Sequence, residues 1–250
     1  MTSLPNSFEL VRQIVTGEHT SPHAKPVKTN LIRKINTTLK KYRSPALTLC
    51  GPAAIDTMIH LWQKVLDEKI PGDFLEAGVW RGGMPLLVRA YMREKNLIDR
   101  KVWLADSFCG LPTDRSFMQD WRDRWASRIL GQVGQLAVSE HTVQKSFQNF
   151  GLLDEHVVFL KGWFQDSLPT INTSQKFALL RLDGDYYEST QDSLNYLYPK
   201  LSHGGFIIID DYNLPFGCKR AVDEYRKAHN IHAPLITINR QSVYWRKEES

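Results

Sequence analysis

The chain has 250 residues, 42% of them hydrophobic and 24% charged, with a net charge of +5 at pH 7. This length suits one large α/β domain or two small ones, and the composition is that of an ordinary globular protein. The basic excess is mild, and no aromatic platform interleaves with the basic run 33–43, which argues against a nucleic-acid-binding protein. No window approaches the roughly 18 uninterrupted apolar residues of a membrane span.

The cysteines and the first residues bear on the compartment. Cys50, Cys109 and Cys218 are odd in number and far apart, which argues against a disulfide framework and against a zinc site. The stretch MTSLPNSFEL lacks a basic start followed by a long apolar run, so we expect no signal peptide. A reducing cytoplasm is the simplest compartment for such a chain.

Residues 1–45 differ from the rest of the chain because they are polar, basic and broken by prolines. We interpret them as a helical arm with loops, and residues 46–250 as one domain. At Ala53–Asp67 the apolar residues recur with helical spacing, which predicts the first long helix of that domain.

Beyond residue 73, short apolar runs alternate with helical segments. This alternation predicts an α/β fold whose mostly parallel sheet is covered by helices on both faces. Two short strands around a turn at 239–241 predict an antiparallel C-terminal hairpin at the edge. Five parallel strands followed by this hairpin resemble the seven-stranded, Rossmann-like sheet of the methyltransferases. The five predicted parallel strands are DFLEAG (73–78), KVWLADSF (101–108), HVVFLKGWF (156–164), KFALLRLDGD (176–185) and GGFIIIDD (204–211).

Acidic residues end four of these five strands. Ligands of open α/β sheets bind at the carboxyl ends of the strands, so a regular series of carboxylates there predicts a functional site. The series consists of Glu76, Asp106, Asp183 with Asp185, and Asp210 with Asp211.

The first strand-to-helix turn, EAGVWRGG, has glycines that let a ligand approach the backbone closely. It is not the G-x-G-x-x-G pattern that binds a dinucleotide pyrophosphate. S-adenosylmethionine has no phosphate and carries a sulfonium and an ammonium, so a turn containing Glu76 favours that cofactor. Asp106 could then accept the ribose hydroxyls. A helix cap at Glu76 and a local turn between Asp106 and Ser107 are the structural alternatives.

Asp183 closes the fourth strand, and Asp210 with Asp211 closes the fifth. If these strands are neighbours, three carboxylates converge, and such oxygen ligands suit a hard dication, above all Mg²⁺. Loop capping and an Asx turn are the alternatives. No lysine lies nearby to offset the charge, so a metal accounts better for the pattern.

A dication next to a methyl donor would have a clear use. It lowers the pKa of an alcohol and favours an acceptor with two adjacent oxygens. A carboxylate can then take the proton while the oxygen attacks the methyl group in line with the departing sulfur.

Several blocks, in order between Thr48 and Tyr244, resemble the macrocin and mycinamicin O-methyltransferase family. The resemblance implies a class I enzyme that methylates sugar hydroxyls with S-adenosylmethionine and Mg²⁺. It also implies a small hydroxylated acceptor, such as a glycosylated natural product, and a homo-oligomer of two or more subunits. The blocks are EAGVWRGG, LADSFCGLP, LAVS, FGLLDEHVVFLKGWFQDSLP, LRLDGDYYEST, LYPKLSHGGFIIIDDY and CKRAVDEYR.

Carried over by position, the resemblance makes Asp183, Asp210 and Asp211 the metal ligands and Asp183 the general base. It assigns a lid to the arm and to residues 113–138. Residues 115–135 look unlike the macrolide enzymes, which leaves the acceptor open. The implied cofactor contacts are Thr48, Leu49, Glu76, Ala77, Gly78, Val79, Trp80, Arg81, Asp106, Ser107, Phe108, Gly110, Ser139, Asp166 and Ser167.

Two other functions compete with this interpretation. A nicotinamide-dependent dehydrogenase is opposed by the missing phosphate-binding glycine pattern. A non-catalytic module that only binds S-adenosylmethionine is opposed by the acidic triad, because such a module has no evident need for mutually repelling carboxylates.

Overall fold

The computed structural model describes residues 7–17, 46–112, 120–121, 123–124 and 136–248. Its strands are β1 (Asp73–Ala77), β2 (Val102–Asp106), β3 (Val157–Lys161), β4 (Phe177–Leu182), β5 (Leu201–Ile209), β6 (Ile236–Thr237) and β7 (Val243–Arg246). They form a seven-stranded sheet in the order β3-β2-β1-β4-β5-β7-β6. Strands β1 to β5 pair in parallel, and β7 pairs antiparallel with both β5 and β6. The predicted parallel sheet with a hairpin edge is confirmed.

Helices alternate with the strands as predicted. In the described residues they are α1 (Ser7–Thr16), α2 (Pro52–Asp67), α3 (Gly83–Glu94), α4 (Glu140–Asn149), α5 (Phe164–Ser167), α6 (Tyr187–Leu197) and α7 (Cys218–Ala228). Helix α6 ends at Leu197, and the chain continues as a 3₁₀ turn over 198–200. Pro199 lies in that turn, and a proline has no N–H to continue an α-helix. Strand β5 therefore begins at Leu201, before the predicted position 204.

The hydrophobic core has one layer on each face of the sheet, as the side-chain alternation of a strand requires. In β5, Phe206 and Ile208 pack into the layer that contains Met58 of α2. Ile207 and Ile209 pack into the opposite layer. Among the described residues, no helix combines the length and the apolar character that crossing a bilayer requires.

Helix α1 is the described part of the predicted arm, and it lies along α3. The rings of Phe8 and Tyr91 are 5.6 Å apart in an edge-on arrangement. This helix also contacts the segment before α2, because the Leu47 N–H donates to the Val15 carbonyl at 2.9 Å. The helical character of 7–16 agrees with the prediction. The rest of the arm and most of 113–138 lie outside the described residues, so the domain boundary at 45 and the lid remain predictions.

Candidate active site

A cavity of about 1000 Å³ opens at the carboxyl ends of the parallel strands. All the acids predicted at strand ends line it: Glu76, Asp106, Asp183, Asp185, Asp210 and Asp211. Strand β3 contributes no acid because it ends at Lys161. The regular placement of carboxylates in the sequence therefore corresponds to one continuous wall of the cavity.

The glycines of the first turn allow strands and loops to approach closely. Gly78 has a φ of +89°, and a Cβ there would lie 1.9 Å from the Asp183 carbonyl oxygen. The Asp183 N–H donates to the Ala77 carbonyl at 2.8 Å on the same side. A Cβ at Gly83 would lie 2.5 Å from the Leu47 carbonyl oxygen. These glycines fix the position of Asp183 and bring the segment beginning at Leu47 to the cavity.

Asp106 holds the first turn in place through backbone hydrogen bonds. Its Oδ2 accepts from the N–H groups of Val79 at 2.8 Å and Trp80 at 3.3 Å. Its Oδ1 accepts from the N–H of Phe108 at 2.7 Å. Burial raises the pKa of Asp106, and these N–H groups oppose the rise. Asp106 thus makes a local turn through the Phe108 N–H. Its carboxylate also lines the cavity, where the ribose contact remains a prediction.

A buried arginine lies among the acids. Arg181 on β4 pairs in register with Glu76 on β1, and its Nη1 forms an ion pair with Glu76 Oε1. The same guanidinium lies 2.9 Å from Asp183 Oδ2 and 2.8 Å from Asp210 Oδ1. Its Nη2 is also 3.0 Å from the Cys50 sulfur. Arg181 therefore offsets part of the negative charge, a contribution that the prediction, which considered only lysine, left out.

One guanidinium does not neutralise this group of acids. Burial raises the pKa of Glu76 to about 8 against the opposing effect of Arg181. Burial and the neighbouring carboxylates raise the pKa of Asp185 to about 8 and that of Asp211 well above its usual value. Acids that hold protons this tightly indicate a site that favours additional positive charge. Moreover, Glu76 Oε2 is buried and has no hydrogen-bond partner among the described residues.

The three predicted metal ligands converge. Strands β4 and β5 are neighbours, with Leu182 opposite Ile209. One carboxylate oxygen from each of Asp183, Asp210 and Asp211 lies within 4.8 Å of the others. This distance and the all-oxygen donor set fit a hard dication such as Mg²⁺.

The comparisons with known proteins identify the family. The model of the macrocin O-methyltransferase (TylF) family matches residues 6–247. The chain belongs to this family. Accordingly, it is an S-adenosylmethionine-dependent O-methyltransferase of class I, which argues against both the dehydrogenase and the non-catalytic module.

Individual relatives agree with this assignment. Over 202 residues the methyltransferase is 45% identical to demethyldecarbamoylnovobiocin O-methyltransferase of Streptomyces niveus, covering 81% of this chain and 76% of that protein. Over 207 residues it is 42% identical to 8-demethyl-8-(2,3-dimethoxy-alpha-L-rhamnosyl)-tetracenomycin-C 4'-O-methyltransferase of Streptomyces olivaceus, covering 83% and 78%. The solved structure of the O-methyltransferase NovP has a TM-score of 0.84 at 39% identity and covers 97% of this chain and 98% of that one.

Most of the cofactor contacts that the family resemblance implied lie on the cavity wall of the methyltransferase. Beyond the acids, those on the wall are Thr48, Leu49, Gly78, Val79, Trp80, Ser107 and Gly110. They come from the segment before α2, from the first turn and from the loop after β2, and so form one side of the cavity.

Six of the predicted contacts do not line the cavity: Ala77, Arg81, Phe108, Ser139, Asp166 and Ser167. Two of them have clear structural roles. Ser139 caps α4 by accepting from the Thr142 N–H at 3.2 Å. The Ser167 hydroxyl donates to the Trp163 carbonyl at 3.0 Å. Direct cofactor contacts from these six remain predictions.

The residues on the opposite side of the cavity were not predicted from the sequence. That side includes Tyr186, Leu214 and the hairpin turn 239–242. The turn is tied to the acidic wall, because the Ser242 hydroxyl donates to Asp210 Oδ1 at 3.2 Å. No sequence signal marks this contact, which depends on β7 pairing with β5.

Proposed function

We propose that this methyltransferase requires Mg²⁺ and methylates a hydroxyl of a sugar, or of a vicinal diol, on a natural product. The observation that carries the proposal is the convergence of Asp183, Asp210 and Asp211 in the same cavity as Glu76. A cavity of about 1000 Å³ is large enough for a nucleoside cofactor together with a small acceptor.

The cofactor half would be the side lined by Thr48, Gly78 and Asp106. S-adenosylmethionine supplies a methyl group on a sulfonium. Glu76 Oε2, buried and without a partner among the described residues, suits the ammonium of the cofactor, because a buried acceptor is costly unless a donor satisfies it. Asp106, already held by backbone N–H groups, would accept from the ribose hydroxyls.

The metal would be held by Asp183, Asp210 and Asp211. Mg²⁺ supplies charge that lowers the pKa of an alcohol and favours two adjacent acceptor oxygens. Arg181 contacts one oxygen of Asp183 and one of Asp210, so it orients both ligands from the inner side of the site.

For the proton, we propose Asp183 as the general base. Asp185 competes for this role because it lines the same cavity as the three proposed metal ligands and is a second carboxylate there that could accept a proton. The two residues make different contacts: the Asp183 carboxylate pairs with Arg181, whereas the Asp185 backbone N–H donates to Asp211 Oδ2 at 3.1 Å.

The names of the relatives support the acceptor class. One acts on demethyldecarbamoylnovobiocin and another on a rhamnosyl tetracenomycin. Acceptors of this kind would contact the side formed by Leu214 and the turn 239–242. We further propose, from the family resemblance, a cytoplasmic homo-oligomer. Sedimentation and cell fractionation test these two points.

The deciding experiment combines cofactor binding with methyl transfer. S-adenosylmethionine should raise the melting temperature, because a ligand that binds only the folded state stabilises it. Transfer of a labelled methyl group to demethyldecarbamoylnovobiocin, or to a panel of glycosylated metabolites, should require Mg²⁺ and stop with EDTA. No thermal shift at millimolar cofactor would refute the cofactor site, and full transfer in EDTA would refute the metal.

A further inference from the structure

Asp123 joins the start of two helices. Its side chain is fully buried, and both of its oxygens accept from backbone N–H groups. Oδ2 accepts from Tyr187, the first residue of α6, at 2.7 Å. Oδ1 accepts from Gly217, the residue before α7, at 2.7 Å. Helix starts have N–H groups without partners in the helix and a partial positive charge, so one carboxylate satisfies both ends.

The two helices follow the two loops that carry the acidic residues. Residues 183–186 connect β4 to α6, and residues 210–217 connect β5 to α7. Near the strands the loops are joined by the hydrogen bond from the Asp185 N–H to Asp211 Oδ2 at 3.1 Å. Near the helices, the rings of Tyr186, the last residue of the first loop, and Phe216, the second-to-last residue of the other, meet edge to face at 6.3 Å. Asp123 makes the third connection, at the far ends of both loops.

The Asp123 carboxylate fits between the two helix starts because residue 217 has no side chain. A Cβ at Gly217 would lie 2.4 Å from Asp123 Oδ2 and 2.5 Å from the Tyr187 Cβ. Asp120, also buried, accepts from Arg220 Nη1 at 3.0 Å. The Arg220 guanidinium in turn lies 4.1 Å from the centre of the Tyr187 ring. Asp120 and Asp123 therefore contact the starts of α6 and α7 separately, Asp123 through backbone N–H groups and Asp120 through Arg220.

We propose that Asp123 is a positioning residue, which fixes the separation of the two acidic loops and so keeps Asp183, Asp210 and Asp211 arranged for a divalent cation. The inference rests on the proposed function. Asp123 does not line the cavity, and its two backbone partners lie at the starts of α6 and α7. The cofactor side, built from the first turn and the β2 loop, does not depend on it. Loss of Asp123 should therefore weaken cation binding and leave S-adenosylmethionine binding intact.

Two variants disrupt the connection in different ways. Asp123→Asn keeps the shape but replaces one accepting oxygen with an NH₂ group. Gly217→Ala keeps the carboxylate and adds the clashing methyl group, at a φ of −73° that alanine adopts readily. Asp99→Asn is the matched control, because Asp99 is exposed. Thermal unfolding first establishes that each variant folds. If Asp123→Asn does not fold, Gly217→Ala alone tests the proposal.

The measurements are hydrogen exchange in peptides spanning 183–190 and 210–218, Mn²⁺ affinity by calorimetry, and S-adenosylmethionine affinity without metal. Both variants should exchange faster in both peptides and bind Mn²⁺ about tenfold or more weakly, the usual effect of losing an outer-shell contact. Cofactor affinity should stay within about twofold. Unchanged exchange, or an equal loss of both affinities, would overturn the proposal.

The exchange measurement also separates this inference from the function on which it rests. If the unaltered protein binds no Mn²⁺, the metal proposal fails, and with it the role of Asp123 in arranging ligands. Faster exchange in both loops would then show only that Asp123 joins them.

Discussion

Arg181 and Glu76 form an ion pair across adjacent parallel strands, and each side chain is only 2% exposed. The same guanidinium reaches Asp183 and Asp210. A single cation thus connects the acid proposed for the cofactor with two acids proposed for the metal. This cation offsets part of the repulsion among these carboxylates.

Removing this cation should destabilise the protein strongly. We expect Arg181→Met to lower the free energy of unfolding in EDTA by about 3–5 kcal/mol, because it leaves buried carboxylates without their counter-ion. Arg181→Lys should lower the free energy of unfolding by less, since lysine keeps the positive charge. Urea unfolding measures both variants, and Mg²⁺ should restore more stability to Arg181→Met than it adds to the unaltered protein. Equal stability of the Met variant in EDTA would refute the role of Arg181 as counter-ion.

Glu76→Gln should weaken S-adenosylmethionine binding. A hydrogen bond to a charged group contributes about 1.5–3 kcal/mol, so the dissociation constant should rise by roughly ten- to a hundredfold. Calorimetry measures the cofactor affinity, and Mn²⁺ affinity serves as the control that should change little. An unchanged cofactor affinity would mean that the buried Oε2 does not face the ammonium.

The fold and the acidic wall could be predicted because both depend on local patterns. Short apolar runs such as DFLEA predict strands, and the helical spacing of apolar residues in 53–67 predicts a helix. The carboxyl ends of parallel strands meet at one edge, so Asp183 and Asp210 could be placed together without coordinates. Only the adjacency of β4 and β5 had to be assumed, and the sheet order confirms it.

Arg181 could have been predicted, whereas the contacts of Asp123 could not. Arg181 interrupts the apolar run FALLRL, and it lies two residues before Asp183, hence on the same face of the strand. A charge in a fully buried strand needs a partner, and the strand-end acids supply it. Asp123 instead reaches Tyr187 and Gly217 across 64 and 94 residues, and no periodicity records such a contact.

Asp210→Asn should abolish methyl transfer while cofactor affinity stays within a few-fold, since Asp210 is a proposed metal ligand and lies outside the proposed cofactor half. Calorimetry with S-adenosylmethionine and a methyl-transfer assay test the two parts separately. Full activity of this variant in the presence of a chelator would contradict the metal role.

Asp185→Asn distinguishes the two candidate bases. If Asp185 takes the proton, the variant should bind Mn²⁺ and cofactor normally but lose turnover by about 10²-fold or more, the usual contribution of a general base. If Asp183 is the base, turnover should fall much less. Single-turnover rates, compared with binding measured on the same preparations, decide between them.

The pH dependence of stability tests the environment of Asp123. Burial raises the pKa of Asp123 to about 6, opposed by the N–H groups of Tyr187 and Gly217 and assisted by Asp120 and Glu188. Because the folded state binds this proton more tightly than the unfolded chain, the contribution is full below about pH 4 and is lost as the pH rises through 6.

Asp123→Asn cannot ionise. The advantage of the unaltered protein over this variant in free energy of unfolding should therefore shrink between pH 4.5 and 7.5. Urea unfolding at both pH values measures it, with Asp99→Asn as the control. An advantage that grows with pH would show that the two backbone N–H groups outweigh the burial of the charge.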